Sequence, residues 1–215
     1  MTTRRAFRAP VLKKGKQTVF TAKDVQTLRQ RTGAGMMDCK KALQENKGDM
    51  DRAAEHLRAK GIAKAGQRAG KQTSEGLITS YIHHNGKVGV MVEVNCETDF
   101  VARTDDFKTL GREIALHIAS ADPIAVDRDG IPDEKVAVER RIAEEQAKSS
   151  GKPEAIVKRM VEGKVEAYFK DNTLMHQPWI REPKKSVGDL IKEASAKVGE
   201  NIQVRRFVRY QMGEE

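Results

Sequence analysis

The sequence is poor in the residues that accompany secretion, membrane insertion or base stacking. Its two cysteines, Cys39 and Cys96, are too few for a disulfide framework and lack the paired spacing of a zinc site, which points to a reducing, cytoplasmic setting. Apolar runs stop after a few residues, as in Val88-Gly-Val-Met-Val92, whereas a membrane-spanning helix needs about 20, so no membrane partner is expected. Six Phe, three Tyr and one Trp leave little aromatic surface for stacking bases. Acidic residues are absent from positions 1–19, which hold six basic side chains: Arg4, Arg5, Arg8, Lys13, Lys14 and Lys16. The chain's net charge of +9 comes from 40 basic and 31 acidic residues, so the part after residue 19 holds 34 basic against the same 31 acidic. With the main chain body nearly balanced, no specific nucleic-acid partner is expected. Residues 1–19 also lack the apolar segment of a secretory signal and read as a disordered extension.

Folding signals begin at Phe20. Thr21 and Asp24 fit a capping box, with Phe20 and Val25 spaced as a hydrophobic staple, so a helix is predicted from Ala22 to about Thr32. The Gly33-Ala-Gly35 break ends it, and Met36, Cys39 and Leu43 recur at helical spacing until Asn46 to Gly48. Asp49 can cap a third helix carrying Met50, Ala53, Ala54 and Leu57, which Gly61 stops. Residues 20–61 therefore read as a three-helix bundle, and 62–72, rich in Gly, Ala, Lys and Arg, as a helical or flexible connector.

Residues 73–215 read as an α+β core with a small antiparallel sheet. Leu77 to His83 and Lys87 to Cys96 are predicted strands, and Asn85-Gly86 between them signals a tight hairpin turn. Val88, Val90, Val92, Val94 and Cys96 share one face, which Phe107, Leu110, Ile114 and Ile118 of the next helix can cover. A charged helical stretch from Asp133 to Ser149, a helix opened by Pro153, an irregular stretch from Asn172 to Pro183, a helix capped by Ser186 and Asp189 and ended by Gly199, and a closing strand from Asn201 to Tyr210 follow.

No catalytic constellation emerges, and the chain does not read as an enzyme. Gly66-Gln-Arg-Ala-Gly70-Lys71 has three residues between its glycines where a P-loop has four, and Gln72 stands where Ser or Thr is needed. His83, His84, Cys96 and Asp99 lack ligand spacing, so neither metal nor other cofactor is expected. His117 shares a helix face with Leu110 and Ile114 and reads as a packed core histidine rather than a general base. A hydrolase using Glu97 or Asp99 as base has no nucleophile or oxyanion partner.

Two stretches ask for more than packing. In Thr32-Gly-Ala-Gly-Met-Met-Asp-Cys-Lys-Lys-Ala-Leu43 two methionines follow a glycine turn; the pattern favours core packing, with an exposed adaptable contact as the other reading. In Asn95-Cys-Glu-Thr-Asp-Phe-Val-Ala102 a valine strand runs into a polar segment and then Phe100 and Val101. Phe100 is either a loop-borne binding anchor or lies tucked beneath a helix capped by Thr98 or Asp99.

Both stretches, the second extended back to Glu93, are close to the signatures of the elongation factor Ts family, the guanine-nucleotide exchange factors of elongation factor Tu. The resemblance continues through Gly151-Lys-Pro153, Val161-Glu-Gly163 and Gly199-Glu-Asn-Ile-Gln-Val-Arg-Arg206, and so covers everything after about residue 20. It implies that the three-helix module is similar to ubiquitin-associated domains and docks on the GTPase domain of elongation factor Tu. It further implies that Thr98, Asp99, Phe100 and Val101 are pushed towards the partner's magnesium and phosphate site, with Phe100 as the apolar wedge and Asp99 its polar companion. Met36, Met37 and Lys40 match positions that touch the GTPase domain, and His83 matches a contact at the core hairpin tip. At 215 residues the chain resembles the short form of the family, with one core copy, and is expected to form a homodimer through the core sheet. Val208 stands in the closing strand where a thiol could cross-link such a dimer, so no disulfide is expected there.

Overall fold

A computed structural model describes residues 20–68, 70–149 and 151–214; the predicted disordered extension, 1–19, lies outside the described residues. The chain divides into two compact units between Leu57 and Arg58.

In the first unit, α1 (Ala22–Thr32), α2 (Met36–Glu45) and the start of α3 (Met50–Arg68) enclose Val25, Leu28, Cys39, Ala42, Leu43, Ala53 and Leu57. The Thr21–Asp24 capping box is present: the Thr21 amide donates to Asp24 Oδ2 (2.7 Å) and the Asp24 amide to Thr21 Oγ (3.3 Å). Chiefly the Thr21 amide holds the Asp24 carboxyl below its ordinary pKa. Asp49 caps α3 by accepting from the Asp51 and Arg52 amides. The predicted stop at Gly61 is wrong, since α3 continues to Arg68. A mid-helix glycine costs only about 1 kcal/mol, and although α3 also holds Gly66, Ala63 and Ala65 between the two glycines favour the helix.

In the second unit, β1 (Glu75–Ile82), β2 (Val88–Cys96) and β5 (Gln203–Gln211) form an antiparallel sheet with β2 central. Val90, Val92, Val94 and Cys96 are buried beneath α5 (Asp105–Ala121), whose Phe107, Leu110, Ile114 and Ile118 complete the core as the period-two pattern predicts. Gly111 lets α5 approach the sheet closely, because a Cβ there would sit 2.5 Å from Thr79 Oγ. His117 is a core residue, its Nε2 3.0 Å from Gln177 Oε1, and burial lowers its pKa. The short α4 (Asp99–Ala102) leads out of β2, and α8 (Val187–Val198), capped by Ser186 and ended by Gly199, leads into β5.

The hairpin turn differs from the two-residue form. His83 still pairs with Val88, its amide donating to Val88 O (2.9 Å), and residues 84–87 make the reversal with the Gly86 amide donating to His83 O (2.8 Å). Gly86 alone within this loop adopts a positive φ, of 68°. Asn85 Oδ1 instead accepts from the Lys87 amide (2.9 Å), so its side chain stabilises an ordinary backbone conformation.

Beyond the sheet, α6 (Asp133–Lys148) and α7 (Glu154–Asn172) pack as a helical hairpin around Ala143, Ala147 and Val161. The stretch predicted to be irregular contains a small ladder of β3 (Pro178–Trp179) and β4 (Glu182–Ser186). Their pairing covers too few residues to leave a periodic pattern.

Candidate partner-docking site

Where β2 ends, the side chains change abruptly from buried to exposed. Thr98 caps α4, its Oγ accepting from the Val101 amide (3.4 Å). Val101 and Ala102 turn into the core, while Phe100 is 79% exposed and Asp99 pairs with Arg103 (2.8 Å) in solvent. The capping reading of this stretch is therefore right for Thr98, but Phe100 is not tucked beneath the helix. One turn of helix holds Val101 inward, and the preceding ring is consequently directed out. The unit anchors itself through Val101 and offers Phe100, so the two neighbouring site candidates have opposite environments.

The cap is pinned from a distant part of the chain. Glu200 Oε2 accepts from the amides of Glu97 (3.1 Å) and Thr98 (3.0 Å), and the Thr98 hydroxyl donates to Glu200 Oε1 (2.7 Å). In return, Glu97 Oε1 accepts from the Asn201 amide (2.7 Å) and Glu97 Oε2 from Lys71 Nζ (3.1 Å). The Asn201 amide is the main cause of a lowered Glu97 pKa. Cys96 Sγ donates to Thr98 O (3.1 Å); burial, reinforced by the Glu200 charge, raises the thiol pKa and keeps that proton in place. Every polar group of Thr98 is thus engaged, and Glu97, with both oxygens bonded, is poorly placed to act as a base.

The other signature, Thr32 to Leu43 in the first unit, presents apolar groups differently. Gly33 ends α1 in the left-handed region, Gly35 starts α2 without a side-chain cap, and Met36 and Met37 follow, 44% and 75% exposed. The core-packing reading of these methionines fails because Cys39, Ala42 and Leu43 already occupy the inward face of α2. Lys40 is exposed on the same helix. Cys39 is fully buried, and its thiol donates to Ala34 O (3.6 Å), steadying the glycine turn.

His83 stands at the hairpin tip, half-buried, with Nδ1 3.0 Å from the Tyr81 hydroxyl and its ring centroid 4.2 Å from that of His84. Thus Thr98 to Val101 gather with Glu97, Glu200 and Asn201 in one unit, whereas Met36, Met37 and Lys40 gather on α2 in the other. The sequence reading missed Glu200, Asn201 and Lys71 as participants. The only sequence signal is a polar Glu200-Asn201 pair set between the helix-ending Gly199 and the closing strand; that Asn201 is buried is visible only in the structure.

Among the described residues, no group of three or more His, Cys, Asp or Glu is arranged to hold a metal, and no helix is long and apolar enough to cross a membrane. The outer face of the sheet carries Ile78, Ile82, Met91 and Tyr210, all exposed, with Val208 opposite Met91.

The chain matches the family model described as Elongation factor TS over residues 13–214. It is 54% identical over 195 residues to the elongation factor Ts of Fervidobacterium nodosum, covering 91% of this chain and 99% of that protein. The elongation factor Ts of Syntrophomonas wolfei is 52% identical over 196 residues, covering 91% and 92% of the two chains. For that of Thermosipho melanesiensis the identity is 52% over 196 residues, with 91% and 100% covered. Since the match takes in both units and both signature segments, the chain belongs to the elongation factor Ts family.

Proposed function

We propose that this protein is the guanine-nucleotide exchange factor of elongation factor Tu in the cytoplasm, acting without covalent chemistry. The observation that carries the reading is Phe100: a large apolar ring, 79% exposed, on a turn whose backbone is fixed by hydrogen bonds. Phe100, with Asp99 beside it, wedges against the partner near its magnesium and phosphate site, while Thr98 and Val101 hold the turn from within. Met36, Met37 and Lys40 dock on the GTPase domain, the methionines as adaptable apolar contacts and Lys40 as a charge, and His83 makes a further contact at the hairpin tip.

Linkage supplies the mechanism. If factor and nucleotide each weaken the other's binding, the two effects are equal in free energy, so the factor speeds GDP release and incoming GTP displaces the factor. Fully burying a phenylalanine side chain is worth roughly 2–3 kcal/mol, or about thirtyfold to a hundredfold in affinity. That is the scale of coupling Phe100 can supply if its contact forms only with the nucleotide-free partner.

The apolar outer face of the sheet, with Ile78, Ile82, Met91 and Tyr210, supports a homodimer formed there. Residues 20–61 act as the docking module and 73–215 as the exchange and dimerisation core, joined by 62–72. The test is release of a fluorescent GDP analogue from elongation factor Tu with substoichiometric factor: catalytic acceleration is expected, and a basal release rate rejects the reading. Light scattering reads the dimer separately, and a monomer at working concentration rejects that part alone.

A further inference from the structure

We propose that Glu200 is a positioning residue for exchange, fixing the direction in which Phe100 is presented; the inference rests on the exchange reading above. Phe100 is mostly in solvent, so nothing packed around the ring sets its direction. The backbone of the α4 turn must set it instead. A four-residue helix leaves its first amides and last carbonyls without helical partners and does not hold itself in water.

Glu200 compensates for this at the N-terminal end of the turn. Its carboxylate takes the Glu97 and Thr98 amides and the Thr98 hydroxyl from a position about a hundred residues further along the chain. Glu97 reaches back to the Asn201 amide, and Asn201 Nδ2 donates to Lys71 O (2.8 Å), so the two segments exchange hydrogen bonds in both directions. The Glu200 carbonyl accepts from Ser195 Oγ, tying the segment that holds the cap to the last turn of α8. The wedge is therefore fastened to the rigid end of a helix, and ordering is complete before the partner arrives. A preordered turn spares the entropy that a loose loop loses on insertion.

The consequence is a separation of effects. Losing Glu200 loosens the wedge but leaves Met36, Met37 and Lys40 untouched. For Glu200→Ala the GDP release rate at saturating factor falls about tenfold, a typical result of removing a preorganising contact, while the half-saturating concentration stays within about threefold. Glu200→Gln, which retains an acceptor for both amides and a partner for the Thr98 hydroxyl, recovers to within about twofold of the natural protein. In a Phe100→Ala background, Glu200→Ala has no further effect, because a residue that acts through Phe100 is silent without it. Amide hydrogen exchange at residues 97–102 quickens in Glu200→Ala while β2 and α5 keep their protection.

An unchanged saturating rate in Glu200→Ala, or an equal loss in the Phe100→Ala background, overturns the proposal. If Glu200→Ala loses protection throughout the second unit, Glu200→Asp, too short to span both the amides and the hydroxyl, takes its place in the same cycle. Phe100→Ala measured alone distinguishes the two levels: normal exchange there rejects the exchange reading itself, whereas its loss beside an active Glu200→Ala rejects only the role of Glu200.

Discussion

The two signature segments solve one problem by different means. Each exposes apolar side chains near a buried cysteine whose thiol donates to a nearby backbone carbonyl, Cys39 to Ala34 and Cys96 to Thr98. At α2 the exposed groups are unbranched methionines, positioned by local geometry: a glycine in the left-handed region and the start of a helix. At α4 the group is a stiff aromatic ring on a turn held by residues far away in sequence. Methionine adapts to the surface it meets, and so suits docking; a ring on a pinned turn transmits force to what it meets, and so suits displacement. Under the exchange function proposed above, this difference puts affinity mainly in the first unit and nucleotide release in the second.

Four measurements break or sharpen that division. The largest effect is on stability: Leu28→Ala, at a fully buried site, costs the first unit about 3 kcal/mol. Hydrogen exchange then shows lost protection in α1 and α2 with β2 and α5 unchanged, and uniform loss in both units would deny their independence. Next is Phe100→Ala, which lowers GDP release by about thirtyfold, the equivalent of a 2 kcal/mol anchor. The melting temperature hardly moves, since the removed ring is mostly in solvent.

Met37→Ala is milder, raising the half-saturating concentration about threefold to tenfold as a peripheral apolar contact would, with the saturating rate retained. Met36→Ala does less, its side chain being less exposed. A fall in the saturating rate as deep as that of Phe100→Ala would abolish the distinction between docking and wedge.

The smallest effect is a pH slope. Burial lowers the His117 pKa in the folded state, so the unfolded chain binds the proton more readily, and stability in the second unit falls as pH drops below the unfolded value of about 6.5. The lowered Asp24 carboxyl in the first unit acts in the same direction but only as pH falls below the ordinary carboxylate range, near 4. Denaturant titrations at stepwise lower pH should weaken the second unit first, and simultaneous weakening would contradict the assignment.

Much of this molecule was legible in local pattern. The Thr21–Asp24 and Ser186–Asp189 boxes, the valine face of β2 and the helix that covers it follow from side-chain chemistry within one or two turns, or from a period of two, and they appear where the sequence places them. Local pattern misled where a residue's neighbours in sequence were not its neighbours in space. Met36 and Met37 share an apolar character with the core, but Cys39 and Leu43 had already filled the inward face. Gly61 resembles a helix stop, yet the residues after it extend α3.

The sequence by itself determined the capped helices, the β1–β2 hairpin, the closing strand and the buried face of the sheet, because helix caps and side-chain alternation act over a few residues. Only the tertiary structure decided that Phe100 faces solvent while Val101 faces the core, and that Glu200 and Asn201 meet Glu97 and Thr98. Those contacts span about a hundred residues of chain, and hydrogen bonds at such separation leave no periodic trace; they exist because β2 and β5 are paired and bring the loops at their ends together.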